Sequence, residues 1–550
     1  MNMKQKNKSV LSKTFAETCS AIASGTIGAA LIFLFTVFPL IYDNSYINIL
    51  ETKYHYYCVF AIGMLGMLLL LGTIMACIDL IEFKGIHTQY FFSGFFLKPQ
   101  NKIAWLTADT AVLIFWLASV ISTLLSAHPK EAFWGNKGRY SGLFLLNLYV
   151  MSYIAISRLW KPKKWFMDIF LASGMVLCII GITDYFQMDI LNLHKAIAAS
   201  QATIFTSTLG NINTYTAYVG LIMGASSAMF ALEENPIKIL WYYLCMFISF
   251  TAIIMGCSDN AYLSMAVLFA ALPLFLLKNR EGIKRYLIIA ATFFSVIQLI
   301  DVANQVFVDR VIGLESLFLI IVNSGYLIHF VLFFWMLALI CMIYDKKHGD
   351  TSASAPVLFG QSLVLWWGIL ITAVLLVICF MLFDANVRGN AEHYGPLQSY
   401  LIFDDNWGTS RGYIWKKSLE LHKNFPLLQK LFGYGPDTFG LLTNSKIKEE
   451  MVAATGLFFD SAHNSILQYL LTIGLMGTGA YLIFLVSSMW HMSNCWHGKS
   501  YIFGALFAIA CYVLQSTVNI DLPIVTPVMW ALTGIGMAGC RECETHDFHP

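Results

Sequence analysis

Residues 408–426 read GTSRGYIWKKSLELHKNFP, a polar stretch with five cationic side chains when His422 is protonated, in a chain of 550 residues that is 58% hydrophobic. What flanks it decides the fold. Only 12% of the residues are charged, against about 25% in an ordinary soluble protein. Apolar runs of roughly 20 residues, each long enough to cross a bilayer core, recur from end to end. This composition excludes a soluble globular domain and predicts an all-α polytopic membrane protein. The formal net charge of +2 is dispersed over the connections, so no basic face is offered to nucleic acid.

About fourteen spans are predicted, near 19–42, 57–80, 103–127, 140–160, 166–186, 210–232, 239–256, 260–277, 286–305, 320–344, 357–383, 463–490, 500–518 and 522–540. The first run follows a basic N-terminus but is too long for a signal-peptide core, so it reads as a retained span. The twelve Cys are scattered singly through apolar runs and behave as small hydrophobes, with no disulfide framework. Short connections carrying RLWKPKK (158–164), KNREGIKR (278–285) and DKK (345–347) share a side with the basic N-terminus, which the positive-inside rule makes cytoplasmic. Both termini are then cytoplasmic. The connections 128–139, 187–209, 257–259, 306–319, 384–462 and 519–521 face the other side.

The chain divides into a bundle of spans 1–11 (1–383), one large extracytoplasmic loop (384–462), and spans 12–14 with a short cytoplasmic tail (463–550). So long a loop is functional or independently folded. Within it, Ser410 is placed to cap a helix reaching Asn424, which Pro426 ends, with Ile414, Trp415, Leu419 and His422 at helical spacing. FGYGPDTFG (432–440) supplies turns before a second short helix.

Five polar clusters lie on the extracytoplasmic side: HPKEAFWGNKGRYSG (128–142), TSTLGNINTY (206–215), SDNAY (258–262), SRGYIW (410–415) and DSAHNSILQ (460–468). Arg411 offers a planar, permanently charged fork suited to phosphate or diphosphate oxygens, or else snorkels to headgroups. His463, at a loop–span junction, is placed to take a proton from a hydroxyl nucleophile, or to cap the helix with Ser461, a role Asn464 shares. Arg139, with Lys137 beside it, is a candidate anion contact between glycines 138 and 142, or a boundary charge. Asn211 and Asn213 suit sugar hydroxyls or helix capping equally, and Asp259 and Asn260 suit contact or termination. Asp404–Asp405 is the loop's paired carboxylate, and adjacent Asp residues are more often solvated than metal-bound. No metal site is expected there, nor in the tail Cys540…Cys543…His546…His549, whose spacing lacks a zinc knuckle.

The stretch GTSRGYIWKKSLELHKNFPLLQKLFGYGPDTFG (408–440), followed by SAHNSILQYLLTIGLMGTGAY (461–481), resembles the O-antigen ligase/polymerase superfamily. GRYSGL (138–143) and LGNINTYTAY (209–218) match its earlier motifs in kind and order. The resemblance implies a GT-C-like membrane glycosyltransferase in the plasma membrane, moving a glycan from an undecaprenyl-diphosphate carrier to an extracytoplasmic acceptor. The acceptor is a lipid, a second lipid-linked glycan, or a protein. It implies that Arg411 holds the diphosphate, that His463 is the essential base, and that Arg139 is a second cationic contact. Lys137, Asn211, Asn213, Asp259, Asn464 and Trp415 are the further substrate-binding candidates. Ser258–Asp259–Asn260 departs from a Ser–Arg found in many members at that point. Diphosphate is a good leaving group, so positioning and charge neutralisation suffice without cofactor or metal. The competing reading is a lipid-linked glycan flippase. It requires inverted repeats and ionisable residues within spans, for which only Asp109, Asp184 and Asp301 are candidates.

Overall fold

The computed structural model describes residues 3–89, 107–348 and 360–546. It is a helical bundle whose only strand pairing among the described residues is the two-residue bridge of Phe205–Thr206 with Gly210–Asn211. Among the described residues ten helices are long and apolar enough to cross a membrane. Three expected spans fall on shorter apolar helices, Leu143–Leu159, Ala261–Leu276 and Ser500–Ser516. The expected span 522–540 falls on Thr526–His546, which begins four residues later. The first residues of the expected spans 103–127 and 357–383, and the tail from residue 547, lie outside the described residues.

Two expected spans are broken. The 463–490 run divides into Ser465–Thr472 and Gly474–Cys495, because Gly474 adopts φ +71° and a side chain there would strike the backbone of Leu431. The 320–344 run divides at Gly325, φ +73°, into Ser316–Asn323 and Leu327–His348. Hydropathy reads both as continuous because a left-handed glycine interrupts the helix without adding polarity.

The centre of the bundle is Ile212–Leu232, 94% of whose apolar window is buried. It lies against Ser500–Ser516 and Pro236–Met255, and a Cβ at Gly224 would fall within 2.7 Å of the Phe507 carbonyl carbon. Small residues allow such close backbone approach where no hydrophobic force drives helices together. Gly360–Asn386, by contrast, has none of its apolar window buried, as a lipid-facing helix requires.

The basic connections gather at one end. Asp109 pairs with Arg158 and Arg541, Lys164 with Glu233, Lys238 with Asp168, and Lys284 with Asp345. Asp109 is therefore a helix-start acid at this end rather than an ionisable group at mid-bundle. Thr107 caps its helix. At the other end the 384–462 loop forms a small core of Ile414, Phe439 and Met451 together with Leu471 of the following helix. It is fastened to the bundle by hydrogen bonds from Ser126 to the Tyr434 carbonyl and from Tyr434 and Gly435 N–H to the Leu471 and Thr472 carbonyls. The twelve cysteines are free.

Candidate functional site

The five polar clusters meet at the end of the bundle that carries this loop. Arg411 begins the regular part of a helix within Trp407–Asn424. Ser410 does not cap it. Gly408, Thr409 and Ser410 form three consecutive left-handed residues, φ +59°, +61° and +66°, a conformation that costs non-glycine residues free energy. The turn directs the Arg411 guanidinium inward, where it donates to Asn260 Oδ1 at 2.8 Å. A side chain at Gly412 would overlap the Asp404 carbonyl oxygen, so the helix seats on the 402–405 segment only with glycine there. Burial lowers the Arg411 pKa, and the nearby Asp259 carboxylate opposes that shift. Asp259 itself is exposed and accepts from the Tyr400 hydroxyl at 3.3 Å.

Arg139 is held by Asp460 through two hydrogen bonds, Nε to Oδ2 at 3.1 Å and Nη2 to Oδ1 at 2.6 Å. Its loop is closed by glycine. A Cβ at Gly135 would lie 2.8 Å from the Tyr140 backbone, and Gly138 has φ +95°. Asp437 Oδ2 accepts from the backbone N–H groups of Asn136 and Ser141 at 2.6 and 3.0 Å, clamping both ends of the Arg139 turn to the loop. Burial pushes the Asp437 carboxyl up to about 7, against the two N–H bonds and the Arg139 charge. Lys137 projects from the same turn and is exposed.

His463 lies between the two arginines, in a left-handed conformation with φ +48°. Burial, then the charges of Arg411 and Arg139, hold its imidazole down at about 4, with Asp460 opposing. The ring is therefore neutral at physiological pH, and its contact is an edge-to-face one with Phe459, centroids 5.8 Å apart. Trp415 fixes this segment to the Arg411 helix by donating to the Ala462 carbonyl at 2.9 Å. Asn464 Oδ1 caps the following helix at Leu467 N–H, 3.0 Å. Asn211 likewise caps Ile212–Leu232 at Asn213 N–H. Asn213 accepts from Ser258 at 2.6 Å, and its carbonyl accepts from Asn519 at 3.0 Å.

Three carboxylates escaped the sequence reading: Asp437, Asp460 and Asp521. Asp521 is half-buried and accepts from the Tyr512 hydroxyl at 2.9 Å, and desolvation raises its pKa. All three stand in connections on this side of the chain, and Asp460 opens the DSAHNSILQ cluster, but no local pattern pairs any of them with its partner. The two lysines that follow Trp415 are paired. Lys417 bonds Glu420 and Glu450, and Lys416 lies 3.5 Å from Asp405. An open groove lined by Phe403, Trp415, Leu419 and Leu467, with Asp404 and Lys416 among its polar residues, runs beside the Arg411 helix.

The site thus holds two guanidinium groups and a neutral imidazole between them. Such a set can bind a compact polyanion and accept a proton next to it. No family model matches the chain, and no curated protein does.

Proposed function

We propose that this chain is a membrane glycosyltransferase that moves a glycan from a polyprenyl-diphosphate carrier to an acceptor hydroxyl on the extracytoplasmic face. The observation that carries this reading is the convergence of Arg411 and Arg139 on His463, whose basicity both charges depress. In it the fold is GT-C-like, with fourteen spans in the plasma membrane, both termini cytoplasmic and the Arg411 loop outside.

Arg411 and Arg139 bind the diphosphate. Arg411 makes one hydrogen bond, to Asn260, of the five a guanidinium can donate, which leaves donors for phosphate oxygens. The acceptor oxygen attacks the anomeric carbon, the carbon–oxygen bond to diphosphate breaks, and the electron pair leaves with the carrier. The hydroxyl proton passes to a ring nitrogen of His463. A base held near 4 is weak in the empty site, but a bound diphosphate offsets the two cationic charges and restores basicity where the reaction needs it. The apolar groove beside Trp415 and Leu419 suits the carrier lipid or a lipid acceptor.

Transfer of lipid-linked glycan by purified protein in proteoliposomes tests the reading. Arg411→Ala and His463→Ala should each lower the rate by about 100-fold or more. Wild-type rates in both, or translocation of the lipid without a covalent product, would overturn it, and the latter outcome would point to a flippase.

A further inference from the structure

We infer that Asp184, Asp189 and His194 bind one divalent transition-metal ion of the zinc class, at a site apart from Arg411 and His463. One ligand atom from each of the three lies within 4.8 Å of the others. The three come from the end of Trp165–Tyr185 and the segment that follows it.

Hydrogen bonding around His194 is the first argument. Its Nε2 lies 3.0 Å from the Phe205 carbonyl oxygen, which can only accept, so Nε2 carries a hydrogen. In the neutral ring, Nδ1 then presents a lone pair, and this faces Asp189 Oδ1 at 3.1 Å. Two electron-rich atoms at that separation need a positive centre between them, either a proton on Nδ1 or a metal ion. Two ligands about 2.1 Å from one zinc ion subtend a distance of this size at roughly 95°. A metal-bound histidine characteristically donates its other ring N–H to a carbonyl or carboxylate, as His194 does to Phe205.

The carboxylates are oriented in the same way. Ser207 N–H donates to Asp184 Oδ2 at 2.7 Å, and Leu193 and His194 N–H groups donate to Asp189 at 2.8 and 3.2 Å. A second, independent observation is Tyr46. Only 4% exposed, it sets its ring edge-to-face on His194, centroids 5.1 Å apart. Its buried hydroxyl has no hydrogen-bond partner, and the charges of Asp184 and Asp189 both reach it. A ligand or ion-bound water among the carboxylates gives that hydroxyl its partner.

Mixed carboxylate and imidazole donors favour zinc-class ions over calcium or magnesium, which take oxygen ligands. The ion would tie the 186–205 segment to the end of its preceding helix. That segment leads through the Phe205–Asn211 pairing into the helix bearing Asn213, so the ion's role is to brace the start of that helix.

Full-length protein in detergent, stripped of metal and dialysed against Zn2+, should hold one zinc per chain. Asp189→Asn and His194→Gln should each weaken binding at least roughly tenfold, with Asp404→Asn as an unaffected control. His194→Cys gives a positive signal that does not depend on loss. Loaded with Co2+, it should gain a thiolate charge-transfer band absent from the wild-type protein. Absence of stoichiometric zinc in the wild type would leave an imidazolium–aspartate pair and overturn the inference. Zinc retained unchanged by the variants, or a thiolate band in wild type marking cysteine ligands elsewhere, would do the same.

Discussion

Arg139 and Asp460, 321 residues apart in sequence, face each other as a two-pronged ion pair that joins the connection after the Ala108–Leu125 helix to the end of the large loop. The pair is partly open to solvent, with side chains 20% and 34% exposed, and so is accessible to an incoming anion. A diphosphate arriving at Arg139 competes with Asp460 for the same fork. Asp460→Asn should therefore tighten substrate binding, seen as a lower KM. It should also destabilise the protein by about 1 kcal/mol, the size of a charge-assisted bond discounted for exposure. Kinetics and thermal unfolding on one preparation check both signs. A raised KM would mean that Asp460 instead holds Arg139 in its binding position.

Gly412 is expected to be irreplaceable for a purely steric reason. Its missing side chain is what lets the Arg411 helix rest on the Asp404 carbonyl. Gly412→Ala should cost about 1–3 kcal/mol through forced displacement and should lower activity more than stability, because the displaced residue adjoins Arg411. Gly479→Ala, inside the Gly474–Cys495 helix where the added carbon meets nothing within 4 Å, is the matching control and should leave activity unchanged and raise stability by at most about 1 kcal/mol.

The apolar helices were legible because twenty apolar residues in a row have few alternatives, and the Lys- and Arg-bearing connections marked the end at which the ion pairs of Arg158, Lys164, Lys238 and Lys284 lie. The breaks at Gly325 and Gly474 were not legible, since backbone torsion leaves no trace in hydropathy. In the site, Arg411, His463 and Arg139 stood out as charges or titratable groups at span mouths. The roles of the asparagines stayed ambiguous for a physical reason: an amide that caps a helix and one that meets a sugar look alike in sequence. Asn211 and Asn464 cap, whereas Asn213 and Asn260 reach across to Ser258 and Arg411. The carboxylates Asp437 and Asp460 were missed because their partners lie some three hundred residues away.

The pH dependence of transfer should separate the empty from the occupied site. With His463 held at about 4, kcat/KM, which reports the free enzyme, should keep its acid limb near pH 4. The kcat limb should lie higher, because bound diphosphate offsets Arg411 and Arg139. For folding, a histidine with a depressed pKa lends stability above its unfolded value of 6.5 that is lost as pH falls towards 4. His463→Gln should abolish that dependence along with the activity limb. Coincident limbs for kcat and kcat/KM would show that His463 does not sense the diphosphate.

Asp437 should give the opposite pH signature. Its carboxyl is raised from 3.8 to about 7, so the folded protein holds a proton there more readily than the unfolded chain. Stability from this group is full below about pH 3.8 and declines as pH rises to about 7, by on the order of 4 kcal/mol. Asn at this position keeps an oxygen to accept from Asn136 and Ser141 N–H but never ionises. Asp437→Asn should therefore be as stable as the parent at pH 4, more stable at pH 8, and flat between. If the carboxylate instead matters as a negative charge facing Arg139, the variant will be less stable at pH 8, and the Arg139 turn is then held by charge rather than by its two backbone hydrogen bonds.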